Sequence, residues 1–204
     1  MKPKAKPQTD AILVGTTVAA WARWLGAHHE RSDGVWLQLT KKSVKKSLTY
    51  AEALEVALCW GWIDSQKRAL DETAWQQRFT RRTAKSPWSK INRAKAEALI
   101  AAGSMHPPGL VEVERAKADG RWDRAYDGPK TMTLPDDLAA ALAKRPGARA
   151  FFDDLDSANR YAILHRVQTA KKPETRNNHI ERLSDLCARR DVLHPERVRK
   201  RPKA

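Results

Sequence analysis

Thr49-Tyr50-Ala51-Glu52-Ala53-Leu54-Glu55-Val56-Ala57-Leu58-Cys59-Trp60-Gly61-Trp62-Ile63-Asp64 begins with a capping box. The threonine hydroxyl and the glutamate carboxylate, three residues apart, satisfy each other's orphan backbone donors at the start of a helix. From Ala53 to Ile63 the only charge is Glu55, and a helix that is apolar nearly all round is a buried one. The pattern therefore predicts a central helix wrapped by other elements. Glu55 must then escape to an edge or find a cation, because a buried carboxylate without a partner is costly. Arg78 is the expected partner.

On the N-terminal side, Ala11 to Val14 reads as a short strand. A helix capped at Thr16 or Thr17 follows, with Val18, Trp21, Ala22 and Leu25 on one face. Ser32-Asp33-Gly34 is a turn, and Val35, Leu37 and Leu39 alternate with Trp36, Gln38 and Thr40 as in a half-buried strand. Lys41 to Ser47 reads as a basic loop. On the C-terminal side, Gln66 to Leu70 and Trp75 to Thr80 read as strands or a hairpin flanking Asp71-Glu72. Arg81 to Pro87 is a basic loop, and Ser89 caps a helix through Ala102 that Gly103 stops. A further helix spans Pro108 to Asp119, with Trp122 packing back on the pair.

After Asp127-Gly128-Pro129-Lys130 the chain becomes purely helical: Pro135 to Lys144, Gly147 to Leu155, Ser157 to Gln168 and Pro173 to Arg190. Short connections imply an antiparallel bundle. The expected fold class is α+β, a small mixed sheet covered by helices over residues 10–127, followed by a helical subdomain over 131–190. Residues 1–9 and 191–204 read as flexible basic tails.

The formal charge of +15 over 204 residues is unevenly placed. Arg189 to Ala204 holds seven Lys or Arg against Asp191 and Glu196, yet the body remains basic without its tails. Such a chain is drawn toward polyanions or acidic surfaces, without specificity following from charge alone. Cys59 and Cys187 lie far apart and form no C-x-x-C, which argues for a reduced, intracellular protein. The apolar run after the basic N-terminus is too short for a signal peptide, and no later stretch approaches a membrane span.

Residues 59 to 92 hold four of the eight tryptophans among seven Lys or Arg. Cations interleaved with aromatics suit an anion or nucleic-acid surface, and the candidate anion-binding residues are Lys67, Arg68, Arg78, Arg81, Arg82, Lys85, Trp88 and Lys90. Trp88, between Lys85 and Lys90, is the candidate platform for stacked bases. Trp60, Trp62 and Trp75 read instead as core. The carboxylates Glu55, Asp64 and Asp71 are the only candidate acid–base set, and no nucleophile, phosphate-cradling glycine loop or cofactor motif accompanies them. Spacing among the histidines does not match a zinc site. A non-enzymatic protein without metal or cofactor is the expectation, with a small-molecule enzyme as the rival reading.

With Glu52 to Asp64 as quoted above, Gln76-Gln77-Arg78-Phe79-Thr80, Lys85-Ser86-Pro87-Trp88-Ser89-Lys90-Ile91-Asn92, Lys117-Ala118-Asp119-Gly120-Arg121-Trp122 and Ala170-Lys171-Lys172-Pro173-Glu174-Thr175-Arg176, the chain resembles the YdeI/OmpD-associated, or bacteriocin-protection, family over roughly Asp10 to Arg190. The resemblance implies a link to envelope stress or antimicrobial-peptide resistance, association with an outer-membrane porin and a periplasmic address. It brings no reaction and no catalytic residues. The absence of a signal segment departs from that address and from the porin association, so the expected location is the cytoplasm. The expected partner is nucleic acid or another polyanion on the basic surface. A protein docked on the helical subdomain, as in an adaptor, is a further expectation.

Overall fold

The computed structural model describes residues 10–41 and 47–195. The expected tail over 1–9, the centre of the basic loop at 42–46 and the stretch 196–204 lie outside the described residues. The fold is α+β, with eight helices and one four-stranded sheet among the described residues, in two compact units divided between Ala125 and Tyr126.

In the first unit, strands β1 (Ala11–Leu13), β2 (Val35–Thr40), β3 (Trp62–Ala69) and β4 (Ala74–Arg81) lie in the order β1-β2-β4-β3. The first pair is parallel and is joined through helix α1 (Val18–His28), since parallel neighbours require a crossover. The other pairs are antiparallel. Alternation along β2 is as expected: Val35, Leu37 and Leu39 are buried, and their partners on β4 are Phe79, Gln77 and Trp75.

Helix α2 (Tyr50–Cys59) is the hub of this unit and touches α1, β3, α3 (Lys90–Ala101) and α4 (Pro107–Ala118). Its capping box is complete: the Thr49 N–H donates to Glu52 Oε2 at 2.8 Å, and the Glu52 N–H donates to Thr49 Oγ1 at 3.2 Å. The Trp21 indole N–H donates to the Ala53 carbonyl at 3.0 Å and ties α1 to α2 across the core. The helix ends at Cys59, before the expected Ile63, because Gly61 adopts φ +71° and turns the chain directly into β3. Trp62 and Ile63 are therefore strand residues.

Glu55 departs from expectation. It pairs with Lys95 of α3 at 2.5 Å, both side chains partly exposed, while Arg78 is taken by Asp10 at 2.5 Å. The helix is narrower in its buried arc than its composition suggests, and position 55 lies at the rim facing α3.

The C-terminal unit packs α5 (Asp136–Ala143), α6 (Ala148–Asp154), α7 (Ser157–Gln168) and α8 (Pro173–Ala188) around Leu138, Leu142, Phe152, Ile163, Leu183 and Cys187. Arg145 bridges Glu181 at 2.5 Å and Asp185 at 2.6 Å on α8. Where a flexible tail is expected from Val192, the chain is instead held as far as His194. Buried Asn159 accepts from the His194 N–H at 2.8 Å and donates to Asp156 Oδ2 at 2.7 Å, while Val192 and Leu193 pack against the helical core.

Candidate functional site

Of the seven cations expected to form one anion surface, Arg78 is taken by Asp10 and the other six are distributed over three places. A β-bulge between Asp64 and Lys67 shifts the register of β3 against β4 by one residue, so that Lys67 opposes Gln77 and Arg68 opposes Gln76. Because side chains alternate along a strand, that one-residue shift sends Lys67 to the helix-facing side and Arg68 to the other. The carbonyl of Gln66, within the bulge, accepts from Gln77 Nε2 at 3.0 Å. Both cations then settle on aromatic rings. Lys67 Nζ stands 4.1 Å from the Trp75 ring centre, and the Arg68 guanidinium stands 4.1 Å from that of Trp36 while its Nε donates to Gln76 Oε1 at 2.6 Å. Residues 65–70 are exposed throughout on the sheet's edge strand.

A second group belongs to a structural clasp. Trp88 is 2% exposed, and its ring is covered by the Arg82 guanidinium at 3.6 Å and met edge-on by Trp122 at 4.8 Å. Arg82 is itself buried and donates to the Pro87 carbonyl at 3.1 Å. From the other side, buried Arg121 donates to the Ser86 carbonyl at 2.8 Å and to Asp119 Oδ2 at 2.7 Å. The segments Lys85 to Asn92 and Lys117 to Trp122 are thus two halves of one packing unit. The reading of Trp88 as a base-stacking platform is corrected accordingly: no face of a ring so enclosed is open to a base. Lys85 is exposed on the loop above, and Lys90 is exposed at the first turn of α3.

The third place is a cleft of about 360 Å³ where the end of β4 meets α4 and the Trp60-Gly61 turn, lined in part by Arg81, Arg82, Arg115, Trp60 and Glu112. Close backbone contact forms its base. A Cβ on Gly61 would come within 2.8 Å of the Pro108 carbonyl oxygen, and one on Gly109 would overlap the carbonyl of Cys59. Trp60 is half-buried between His106, stacked at 4.0 Å, and His29 at 4.8 Å. Arg81 donates to the Glu30 carbonyl at 2.9 Å and to Asp33 at 3.0 Å, and Arg115 donates to Glu112 Oε1 at 2.6 Å. Trp60, Glu112 and Arg115 carry no sequence signal beyond the i,i+3 spacing of the last two, which is a commonplace of helix surfaces.

The three carboxylates do not assemble. Glu55 is on Lys95, Asp64 accepts from the Tyr50 hydroxyl at 2.9 Å, and Asp71 accepts from the Thr73 hydroxyl and the Thr73 and Ala74 backbone N–H groups in the β3–β4 turn. Those bonds, the Thr73 hydroxyl first, hold Asp71 below the usual carboxylate range, as a structural turn residue. The run of β3 from Asp64 to its end at Ala69, at about 3.3 Å per residue, puts roughly 15 Å between Asp64 and the turn that holds Asp71, far beyond the reach of a shared proton. Among the described residues no three His, Cys, Asp or Glu side chains gather as metal ligands would.

Residues 131–190 match the family model described as "Bacteriocin-protection, YdeI or OmpD-Associated", and residues 13–112 match that of a domain of unknown function, DUF8412. The likeness to the YdeI/OmpD-associated family that the sequence suggests over most of its length is thus shown for the helical unit, and the mixed unit matches a different model. No curated protein and no solved structure matches the chain. No helix among the described residues is long and apolar enough to cross a membrane.

Proposed function

We propose that this chain, which carries a YdeI/OmpD-associated domain over residues 131–190, works without catalysis as a binding module whose mixed α+β unit takes an anionic partner, single-stranded nucleic acid before other polyanions. The observation that carries the reading is the pair Lys67 and Arg68 on the exposed edge strand. Each is seated on an aromatic ring, and neither has a carboxylate partner among the described residues. Lys85 is likewise exposed with no ion pair among them. By contrast Arg78 and Arg81 are compensated by Asp10 and Asp33 and contribute less net charge.

A guanidinium lying on indole keeps its charge while losing little freedom when an oxyanion arrives, which favours binding by pre-organisation. Separation of Glu55, Asp64 and Asp71 weighs against the enzymatic reading. Support for a role in stress or antimicrobial-peptide resistance comes from the description of the C-terminal domain alone. The free, buried thiols of Cys59 and Cys187 suit a reducing compartment, and we place the protein in the cytoplasm on that ground.

The experiment is a fluorescence-anisotropy titration of a labelled oligothymidylate with the full chain at several salt concentrations. Binding that weakens steeply with salt supports the reading, since neutralised phosphates release counterions. No binding at low salt refutes it.

A further inference from the structure

The cleft beside Trp60 lies apart from the exposed residues of the edge strand. Two buried polar atoms of its lining, Trp60 Nε1 and Glu112 Oε2, have no hydrogen-bond partner among the described residues. Glu112 is held in place by Arg115 through its other oxygen, and its side chain is 12% exposed, so Oε2 cannot turn out to bulk water without breaking that pair. Buried polar atoms without partners are rare in folded proteins, and where they line a concave site they define what a ligand must supply. Here the requirement is a donor for Glu112 and an acceptor for Trp60.

Charge narrows the class. Three arginines, Arg81, Arg82 and Arg115, outnumber the two carboxylates of the lining, Glu30 and Glu112, which disfavours a simple cation. A simple anion would leave Glu112 without a donor and add a like charge beside it. We infer that the cleft binds a small zwitterion, an amine-bearing carboxylic acid, with its ammonium on Glu112 Oε2 and its carboxylate accepting from the Trp60 indole N–H and pairing with Arg81. The volume of about 360 Å³ lies at the small end of the range for ligand pockets. The close backbone approaches at Gly61 and Gly109 give the site a rigid floor.

The test follows the Trp60 indole N–H resonance of the full chain by NMR during titration with glycine, β-alanine, γ-aminobutyrate and ε-aminocaproate, and with propylamine and propionate as the two halves. One chain length should bind at least about tenfold more tightly than either half, as expected for a charge-assisted hydrogen bond gained at each end. Glu112→Gln should lose about tenfold in affinity for that zwitterion. Should that variant fail to fold, the comparison of zwitterion with halves on the unaltered chain decides alone. An indole resonance unmoved by the whole series, or halves that bind as tightly as the best zwitterion, would overturn the assignment.

Discussion

Arg68 reaches across strand β4 to lie 4.1 Å from the ring centre of Trp36 on β2, with Gln76 of the intervening strand accepting from its Nε. Three strands thus contribute one residue each to a cation held on an aromatic face. An exposed contact of this kind is worth roughly 0.5–1 kcal/mol. Trp36→Ala should lower stability by that amount plus the lost ring burial. It should also weaken oligonucleotide binding more than a change at an exposed lysine of the helical unit, Lys171→Gln, does. Unchanged oligonucleotide affinity in Trp36→Ala would show that seating the guanidinium on the ring has no part in binding.

The enclosed position of Trp88 makes it a stability residue. Trp88→Ala removes the ring that Arg82 and Trp122 cover and should cost about 3–5 kcal/mol in urea denaturation, the usual range for a large buried aromatic. A loss below about 1 kcal/mol would mean that the clasp is loose.

Glu55 and Lys95 form a partly exposed pair, with side chains 43% and 29% accessible. Such pairs contribute at most about 1 kcal/mol once solvent screening is included. Glu55→Ala should therefore shift the urea midpoint only slightly. A loss of about 3 kcal/mol, the penalty for stranding a buried charge, would contradict this placement.

Among the carboxylates held below their ordinary range by nearby bonds are Glu52 by Thr49, Asp71 by Thr73 and Ala74, and Asp137 by Arg176. Each binds its proton less readily folded than unfolded, so each adds stability above its unfolded value, 4.5 for Glu52 and 3.8 for the aspartates, that is lost as pH falls through the lower folded value. The urea midpoint should fall between about pH 5 and pH 3, and Thr49→Ala, which should itself cost about 1 kcal/mol, should shrink that fall. A midpoint that stays flat across the interval would contradict the assignment.

Both thiols are buried, and burial pushes Cys187 up to about 11 and raises Cys59 as well, with the Glu55 charge adding to the effect at Cys59. Neither should react with a disulfide reagent at neutral pH until urea unfolds the chain, because the thiolate is the reacting form. Rapid labelling of the native protein would contradict the burial.

The capping box, the β2 alternation, the Ser89 and Gly103 boundaries of α3 and the helical C-terminal unit were legible because each rests on chemistry local in sequence. Less could be read where geometry depends on contacts distant in the chain. The sequence points Glu55 to Arg78, and nothing local to it shows that α3 lies along the rim of α2 and brings Lys95 there instead. Nor could Asp10 be foreseen as the partner of Arg78, 68 residues away. The bulge after Asp64 decides which faces Lys67 and Arg68 occupy, yet Ser65-Gln66 carries no glycine to announce it. For Trp88, aromatic and basic residues interleave equally well in a solvated platform and in a buried arginine–tryptophan clasp. The cleft was invisible because Trp60 and Glu112 meet only through the close approach of Gly61 and Gly109.

The central claim, that the unpaired cations of the mixed unit bind a polyanion, is tested most directly by the salt dependence of oligothymidylate binding in a Lys67→Glu, Arg68→Glu, Lys85→Glu variant, compared with a chain lacking residues 196–204. If all three cations contact phosphates, the slope of log affinity against log salt should become shallower by about 2 in the variant, at roughly 0.7 for each contact to a single strand, with helical content unchanged. Removing the terminal stretch should leave most of the slope in place. An unchanged slope in the triple variant, together with its collapse on terminal deletion, would contradict the claim and assign the binding to the chain end.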